Sequence, residues 1–112
     1  MNNSDIIKLQ HMLDAARYAK LFVKGSTRAN LNDDVMLKFA LTKAIEIIGE
    51  AAANISKDTR DQLPHFEWGK IVGMRNRLVH VYFDIDLDIL WDTVENYIPN
   101  LINDLEKLKE LK

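Results

Sequence analysis

The stretch that decides the fold is VMLKFALTKAIEIIGEAAANI, residues 35–55. Its apolar residues recur at intervals of three and four, which is the spacing of an α-helix. They also extend around much of the helix circumference, which is typical of a central helix packed on several sides. Gly49 and the alanines at 51–53 are small enough for another backbone to approach closely. The pattern predicts a long central helix with Asn32 as its N-cap.

The segment before this helix also has helical spacing. Apolar residues recur at three- and four-residue steps between Ile6 and Phe22. Ser4 is a good N-cap residue and Gly25 a good stop signal. Residues 25–33, GSTRANLND, are rich in turn formers and lack periodicity. We therefore predict a first helix followed by a loop.

The segment after the central helix contains signals for two more long helices. Residues 56–66 allow at most a short helix before the next long one, which starts near Phe66 or Glu67. The sequence YFDIDLD, residues 82–88, breaks that helix, and Asp86 caps the last one. Pro99 cannot donate a hydrogen bond, so we expect a kink there. The predicted fold is all-α: an antiparallel bundle of four main helices plus a possible short one, forming a single domain over residues 1–112.

Composition excludes several classes of protein. The 112 residues include no cysteine, which rules out disulfides, thiolate zinc sites and a cysteine nucleophile. No apolar run is long enough to span a membrane, and the first 20 residues do not read as a signal peptide. We expect a cytoplasmic protein. The net charge of −2 gives no overall attraction to nucleic acid.

One segment carries candidate chemistry: GMRNRLVHVYFDID, residues 73–86. On a continuous helix the side chains of Arg75 and His80 would point about 140° apart. Either the helix ends near His80, or two copies of the chain share one pocket. Arginine offers forked donors that match phosphate oxygens, and histidine transfers protons near neutral pH. The pair suits attack of a ribose 2′-hydroxyl on its neighbouring phosphate, a reaction that requires no metal or cofactor.

Spacing alone leaves structural roles open for these residues. A histidine at the end of an apolar helix is often a partly buried structural residue, and Tyr82 could be an ordinary tyrosine at the edge of the core. Arg77 could hold RNA or a partner, or form an ion pair with Asp84 or Asp86. We also expect Glu50 to hydrogen-bond to the motif helix.

The segments RNRLVHVY (75–82), AIEIIGEAA (44–52) and WDTVENYIPNL (91–101) together resemble the HepT-like branch of the HEPN superfamily. The first of them matches the Arg-x4-His-x-Tyr signature of that branch. The resemblance implies a helical bundle that forms a homodimer, with a metal-independent ribonuclease site in the cleft between protomers. It implies Arg75 and His80 as the catalytic pair, with Asn76 shaping the pocket and Arg77 as a further candidate for contact with RNA.

The resemblance also implies partners. HepT-like proteins are toxins encoded beside a nucleotidyltransferase antitoxin, which transfers AMP to the motif tyrosine, here Tyr82, and silences the nuclease. Transfer RNA is the substrate class most associated with the branch. The alternative from another functional class is a non-catalytic helical module that binds a nucleotidyltransferase or nucleic acid.

Overall fold

The computed structural model describes residues 1–81 and 84–112. The helices are α1 (Asn3–Phe22), α2 (Asn30–Asp33), α3 (Val35–Ala53), α4 (Lys57–Gln62), α5 (Trp68–Leu78), α6 (Leu87–Asp92) and α7 (Ile98–Glu106). A π-helical turn, Thr93–Tyr97, joins α6 to α7. Two short strands, β1 (Val79–Val81) and β2 (Asp84–Ile85), lie between α5 and α6. The all-α prediction is confirmed, and the small β-ribbon was not expected from the sequence.

The four main helices form the predicted bundle. They are α1, α3, α5 and the continuous rod made by α6, the π-helical turn and α7, and α3 packs against both α1 and α5. Arg17 on α1 bonds Glu106 on α7 at 2.9 Å, and Gln10 accepts from the backbone N–H of Lys112. Residues later in the last helix and in the segment after it contact residues earlier in α1, so α1 and α7 are antiparallel. None of the helices that the structure describes is long and apolar enough to cross a membrane.

The core is aliphatic and lies where the four helices face one another. Its largest fully buried side chains come from every main helix: Leu9, Met12, Leu13, Leu31, Leu41, Ile45, Ile48, Ile71, Met74, Leu78, Leu90 and Ile98. Trp68 and Trp91 are partly buried and pack against the edge of this cluster. The indole N–H of Trp68 also donates to the carbonyl of Leu63 at 3.1 Å.

Two of the predicted helix starts are wrong by two residues. Helix α1 is capped by Asn2, whose side chain accepts from the N–H of Asp5 at 2.7 Å, and Ser4 lies inside the helix. Helix α3 is capped by Asp34, which accepts from the N–H of Leu37 at 2.9 Å, rather than by Asn32. Asn32 instead lies in α2, a four-residue helix inside the segment predicted to be a loop. Several residues near each start can act as caps, so composition alone does not select one.

A buried carboxylate joins α1 to α4. Asp5 is only 2% exposed and accepts hydrogen bonds from the hydroxyls of Ser56 and Thr59, both at 2.6 Å. Its other oxygen accepts from the N–H of Ser56 at 3.1 Å. The hydrogen bonds from Ser56 and Thr59 lower the pKa of this carboxyl below its usual range, against the opposing effect of burial. A charged side chain is therefore stable in the core at this point.

Gly49 sets the distance between α3 and α5. A Cβ at this position would lie 3.2 Å from the carbonyl oxygen of Val72 and 3.5 Å from that of Ile71. The contacting atoms belong to the backbone of α5, which cannot rotate away as a side chain could. The prediction that Gly49 admits a closely approaching backbone is confirmed. This close packing brings the motif helix against α3.

The last helix is irregular one turn before Pro99. The N–H of Ile98 donates to the carbonyl of Thr93, five residues back rather than four. Pro99 has no N–H to donate to the carbonyl of Glu95, so the regular pattern could not continue through it in any case. From the sequence we expected a kink at Pro99. The structure instead has a π-helical turn that ends two residues earlier, at Tyr97.

Candidate active site

The motif segment changes conformation after Leu78. The N–H of Val79 donates to the carbonyl of Arg75 and closes α5, and β1 then pairs antiparallel with β2. The N–H of Asp86 donates to the carbonyl of Leu78 at 2.7 Å, which fixes the return of the chain. Of the two alternatives, the structure has the helix ending before His80, and it ends earlier than the predicted break at residue 82.

His80 is exposed on the β-ribbon, whereas its neighbour Val79 is buried. Val81, the next residue, is exposed as well, so only the first residue of β1 packs on the core. The buried Val79 anchors the strand to the core, so the imidazole of His80 is left on the solvent side. A buried structural role for His80 is therefore excluded within this chain.

Arg75 lines a groove between α3 and α5. The groove has a volume of about 320 Å³, and Asn76 lies beside Arg75 on the α5 side. Glu46 and Glu50 face them from α3. Among the described residues, the Arg75 guanidinium forms neither an ion pair nor a hydrogen bond. We expected a hydrogen bond between the Glu50 side chain and the motif helix, but the described residues contain none. Glu50 is exposed and only lines the groove.

The charge in this groove is not favourable for RNA within one chain. Arg75 contributes one positive charge, and Glu46 and Glu50 contribute two negative ones. A phosphate that approached the guanidinium would be repelled by both carboxylates at the same time. One chain therefore provides a solvent-accessible arginine in this groove and, on β1, an exposed histidine that does not line it. A second positive charge near the groove would favour phosphate binding.

Arg77 lies on a different side of α5 from Arg75. Its guanidinium donates to the carbonyl of Lys70 at 3.3 Å. The alternative of an ion pair with Asp84 or Asp86 is wrong for the described residues, because Asp86 instead caps α6 by accepting from the N–H of Ile89 at 3.0 Å. Asn76 shares the groove with Arg75, whereas Arg77 does not.

The fifth residue predicted to belong to the site, Tyr82, lies outside the described residues, as does Phe83. The other two histidines, His11 and His65, are also exposed. Within residues 1–81 and 84–112, no cluster of three or more histidine or carboxylate side chains could hold a metal ion.

A second cavity, between α5 and α7, was not anticipated from the sequence. It measures about 220 Å³ and is lined by His65, Lys70, Tyr97, Asn100 and Asp104 among others. The Lys70 ammonium lies 4.8 Å from the centre of the Tyr97 ring. Burial, and then the nearby charge of Glu67, raise the pKa of the Tyr97 hydroxyl. The one sequence signal near this cavity was Pro99, which predicts an irregular backbone in the last helix. The irregular turn, Thr93–Tyr97, contains the cavity residue Tyr97.

Comparison with known proteins identifies the family. The family model described as Ribonuclease HepT-like matches residues 12–108, which include the whole motif segment. The chain belongs to the HepT-like ribonuclease family. This confirms the resemblance drawn from the Arg-x4-His-x-Tyr motif, and with it the assignment of the protein as a ribonuclease.

Named relatives agree with this membership. This HepT-like chain is 42% identical over 102 residues to a protein of Thermococcus cleftensis named "Probable ribonuclease HepT", covering 91% of this chain and 93% of the relative. It is 35% identical over 98 residues to a protein of Methanocaldococcus jannaschii provisionally named an RNase, covering 88% and 90% of the two chains. A similarly named protein of Caldanaerobacter subterraneus subsp. tengcongensis is 33% identical over 100 residues, or 89% of each chain. No solved structure matches this chain.

Proposed function

We propose that this chain is the toxin of a toxin–antitoxin pair and cleaves RNA, with transfer RNA as the expected substrate, through Arg75 and His80. The observation that carries the proposal is the state of these two side chains. The Arg75 guanidinium lines an open groove and has no partner among the described residues, and His80 is exposed just beyond the end of the same helix. Both side chains are exposed, so each is accessible to a phosphate and its neighbouring hydroxyl.

The proposed reaction needs only protons to move. A neutral imidazole of His80 takes the proton from a ribose 2′-hydroxyl, and the 2′-oxygen attacks the adjacent phosphorus. The bond from phosphorus to the 5′-oxygen of the next nucleotide breaks, and that oxygen receives a proton from an imidazolium or from water. The products are a 2′,3′-cyclic phosphate and a free 5′-hydroxyl. Arg75 stabilises the charge on the five-coordinate phosphorus with its forked donors.

We further propose that the active species is a homodimer and that two motif segments share one cleft. Arg75 lies within a groove on α5 and His80 lies on β1, beyond the helix end. The groove of one chain carries one more negative than positive charge, and a second copy would supply further positive charge. A two-fold arrangement would supply both copies equally.

Regulation is the third part of the proposal. A nucleotidyltransferase antitoxin would transfer AMP from ATP to the hydroxyl of Tyr82, releasing pyrophosphate. The added phosphate would place a negative charge two residues from His80, where it would compete with RNA for Arg75. Support for this step comes from the motif and the family membership.

The catalytic assignment is tested by cleavage of transfer RNA with three variants. His80→Ala and Arg75→Ala should each lose at least about a hundredfold in rate, as is usual when an acid–base or charge-stabilising group is removed. His65→Ala is the matched control, since that imidazole is also exposed but lies outside the motif segment. Assays in EDTA, with mass analysis of the 3′ ends, test for a cyclic phosphate formed without metal. Undiminished cleavage by His80→Ala would contradict the assignment and favour the non-catalytic binding module.

The regulatory step is tested by intact mass after co-expression with the neighbouring nucleotidyltransferase. We expect added mass in steps of one AMP on the wild-type chain and none on Tyr82→Phe, with cleavage lost only where mass is gained. Tyr97→Phe is a suitable control because Tyr97 is half-buried in the other cavity. An unmodified wild-type chain, or modification that persists in Tyr82→Phe, would refute this step without affecting the catalytic assignment.

A further inference from the structure

Positive charge is segregated along this chain. Residues 15–32 contain four basic residues and no acidic one, and residues 68–83 contain three basic residues and no acidic one. These two segments therefore hold seven of the 15 lysines and arginines and none of the 17 acidic residues. The second segment contains the motif, whereas the first has no part in the proposed cleavage reaction. The net charge of −2 thus conceals two local concentrations of positive charge.

Three basic residues of the first segment form a stripe on one side of α1. Arg17, Lys20 and Lys24 are separated by three and four positions, which places them on the same helix face over a length of about 10 Å. They line a groove of about 810 Å³ between α1 and the rod formed by α6, the π-helical turn and α7. We call these three residues the α1 basic stripe.

Two of the three side chains in the α1 basic stripe have no partner within the described part of the chain. Lys20 and Lys24 are exposed, and neither ammonium forms an ion pair or a hydrogen bond there. Arg17 bonds Glu106 at 2.9 Å, so its charge is already balanced. Glu95 is the other acidic residue among the described residues that line the groove. The groove therefore carries one more positive than negative charge, and the two lysines are available to an anion.

The α1 basic stripe leads toward the motif strand. Arg28 follows Lys24 by four residues, and its guanidinium bonds the carboxylate of Asp88 at 2.7 Å. Asp88 lies near the start of α6, which follows β2, and β2 pairs with β1. Strand β1 carries the exposed His80. The two basic segments therefore meet at one end of the bundle, where the proposed catalytic histidine is accessible.

We propose that the α1 basic stripe holds the phosphate backbone of the RNA outside the cleavage site. The inference rests on the proposed function for the identity of the ligand, and it extends the RNA-binding surface from the motif to the other basic segment. Lysine binds phosphate as a point charge, and contacts to phosphate do not read the base sequence. The stripe would therefore add affinity for a long RNA and orient it, while the motif acts on one phosphate.

The salt dependence of RNA binding tests this proposal. Lys20→Gln with Lys24→Gln removes the two unpaired charges, and Lys57→Gln with Lys109→Gln is the matched control, because it removes two exposed charges outside both basic segments. Every chain also carries His80→Ala, so that labelled transfer RNA stays intact. If the stripe contacts two phosphates, its loss should make the slope of log K against log salt shallower by about 1.4 to 1.8 and weaken binding at low salt at least about tenfold. The control pair should change neither quantity comparably.

Three outcomes of this binding experiment would overturn the proposal. An unchanged slope and affinity in the Lys20→Gln, Lys24→Gln chain would show that the stripe does not contact RNA. Equal weakening by the control pair would show an effect of net charge alone. Unchanged RNA binding combined with lost binding of the neighbouring nucleotidyltransferase would assign the stripe to a protein partner. Lys20→Arg with Lys24→Arg keeps both charges and should bind RNA as the wild type does, because phosphate contact depends on charge. Circular dichroism checks that each variant is folded.

Cleavage by chains with an intact His80 separates holding the RNA from catalysis. With protein in excess over transfer RNA, the Lys20→Gln, Lys24→Gln chain should need about tenfold more protein for half-maximal rate, at a maximal rate near that of the wild type. A reduced maximal rate with unchanged half-saturation would contradict a holding role. Normal cleavage by this chain at all protein concentrations would refute the stripe and leave the catalytic assignment intact. If no chain cleaves RNA, the binding experiment still decides the stripe.

Discussion

Replacing Gly49 by Ala tests whether the closeness of α3 and α5 positions the motif helix. The new Cβ would lie 3.2 Å from the carbonyl oxygen of Val72, closer than an ordinary van der Waals contact. Both helices are packed on the core, so the clash can be relieved only if α5 moves by a few tenths of an ångström. Arg75 lies one turn further along α5 and would move with it.

Two opposing effects set the size of the change. Alanine is a better helix former than glycine by about 1 kcal/mol, which favours the variant. Overpacking a tightly filled contact costs about 1–3 kcal/mol, which opposes it. Gly73→Ala is the matched control, because it lies inside α5 and a Cβ there meets no atom within 4 Å. It should gain the helix-forming advantage alone, so the two variants should differ in unfolding free energy by about 1–3 kcal/mol.

Thermal unfolding followed by circular dichroism measures this difference. At this chain length, about 1 kcal/mol corresponds to a shift in Tm of about 4 °C, so Gly49→Ala should unfold roughly 4–12 °C below Gly73→Ala. RNA cleavage, measured well below both transitions, should fall in Gly49→Ala and change little in Gly73→Ala. Equal stabilisation by both substitutions would refute the claim that Gly49 is required for close packing of the two helices.

Two further predictions concern stability. Asp5→Ala should lower the unfolding free energy by about 3 kcal/mol at pH 7, because it removes charge-assisted hydrogen bonds and leaves the hydroxyls of Ser56 and Thr59 without their acceptor. The pKa of Asp5 is lower in the folded state than in the unfolded state, where it is about 3.9. The stabilisation by the ionised carboxylate is therefore complete above about pH 3.9 and is lost as the pH falls through the folded-state pKa. Urea unfolding at pH 7 and pH 3 should therefore show the difference from wild type narrowing in acid; a constant difference would contradict this account. Asp34→Ala should cost about 1 kcal/mol by removing the cap of α3, whereas Ser4→Ala should change stability by less than about 0.5 kcal/mol; the reverse order in urea unfolding would restore Ser4 as a cap.

The main helices could be predicted because their signals are local. The apolar periodicity of residues 35–55 and Asp86 as the cap of α6 both depend on neighbours within one or two turns. The caps of α1 and α3 were misassigned because Asn2 and Ser4, or Asn32 and Asp34, are all acceptable in isolation. The choice between them depends on where the rest of the chain holds the helix start. The β-ribbon was missed for a similar reason, since β1 and β2 have only three and two residues.

For the candidate site too, the sequence indicated the residue types but not their arrangement in space. The residue types of Arg75 and His80, and their separation of five positions, indicated phosphate chemistry before any fold was known. Their relation in space could not be read from the spacing, because it depends on the helix ending at Leu78 rather than continuing. Glu46 and Glu50 belong to a different helix, and only packing brings them into the groove with Arg75.

Sequence by itself determined that this protein is a helical bundle and that it carries the HepT-like motif, because periodicity and motif identity are properties of nearby residues. Tertiary structure alone decided which faces of these helices are covered and which charges share a groove, because burial depends on contacts between residues far apart in the chain. Helix α3 illustrates both. The sequence showed that apolar residues surround most of this helix, but the exposure of Met36 and the closeness of Gly49 to α5 are consequences of packing.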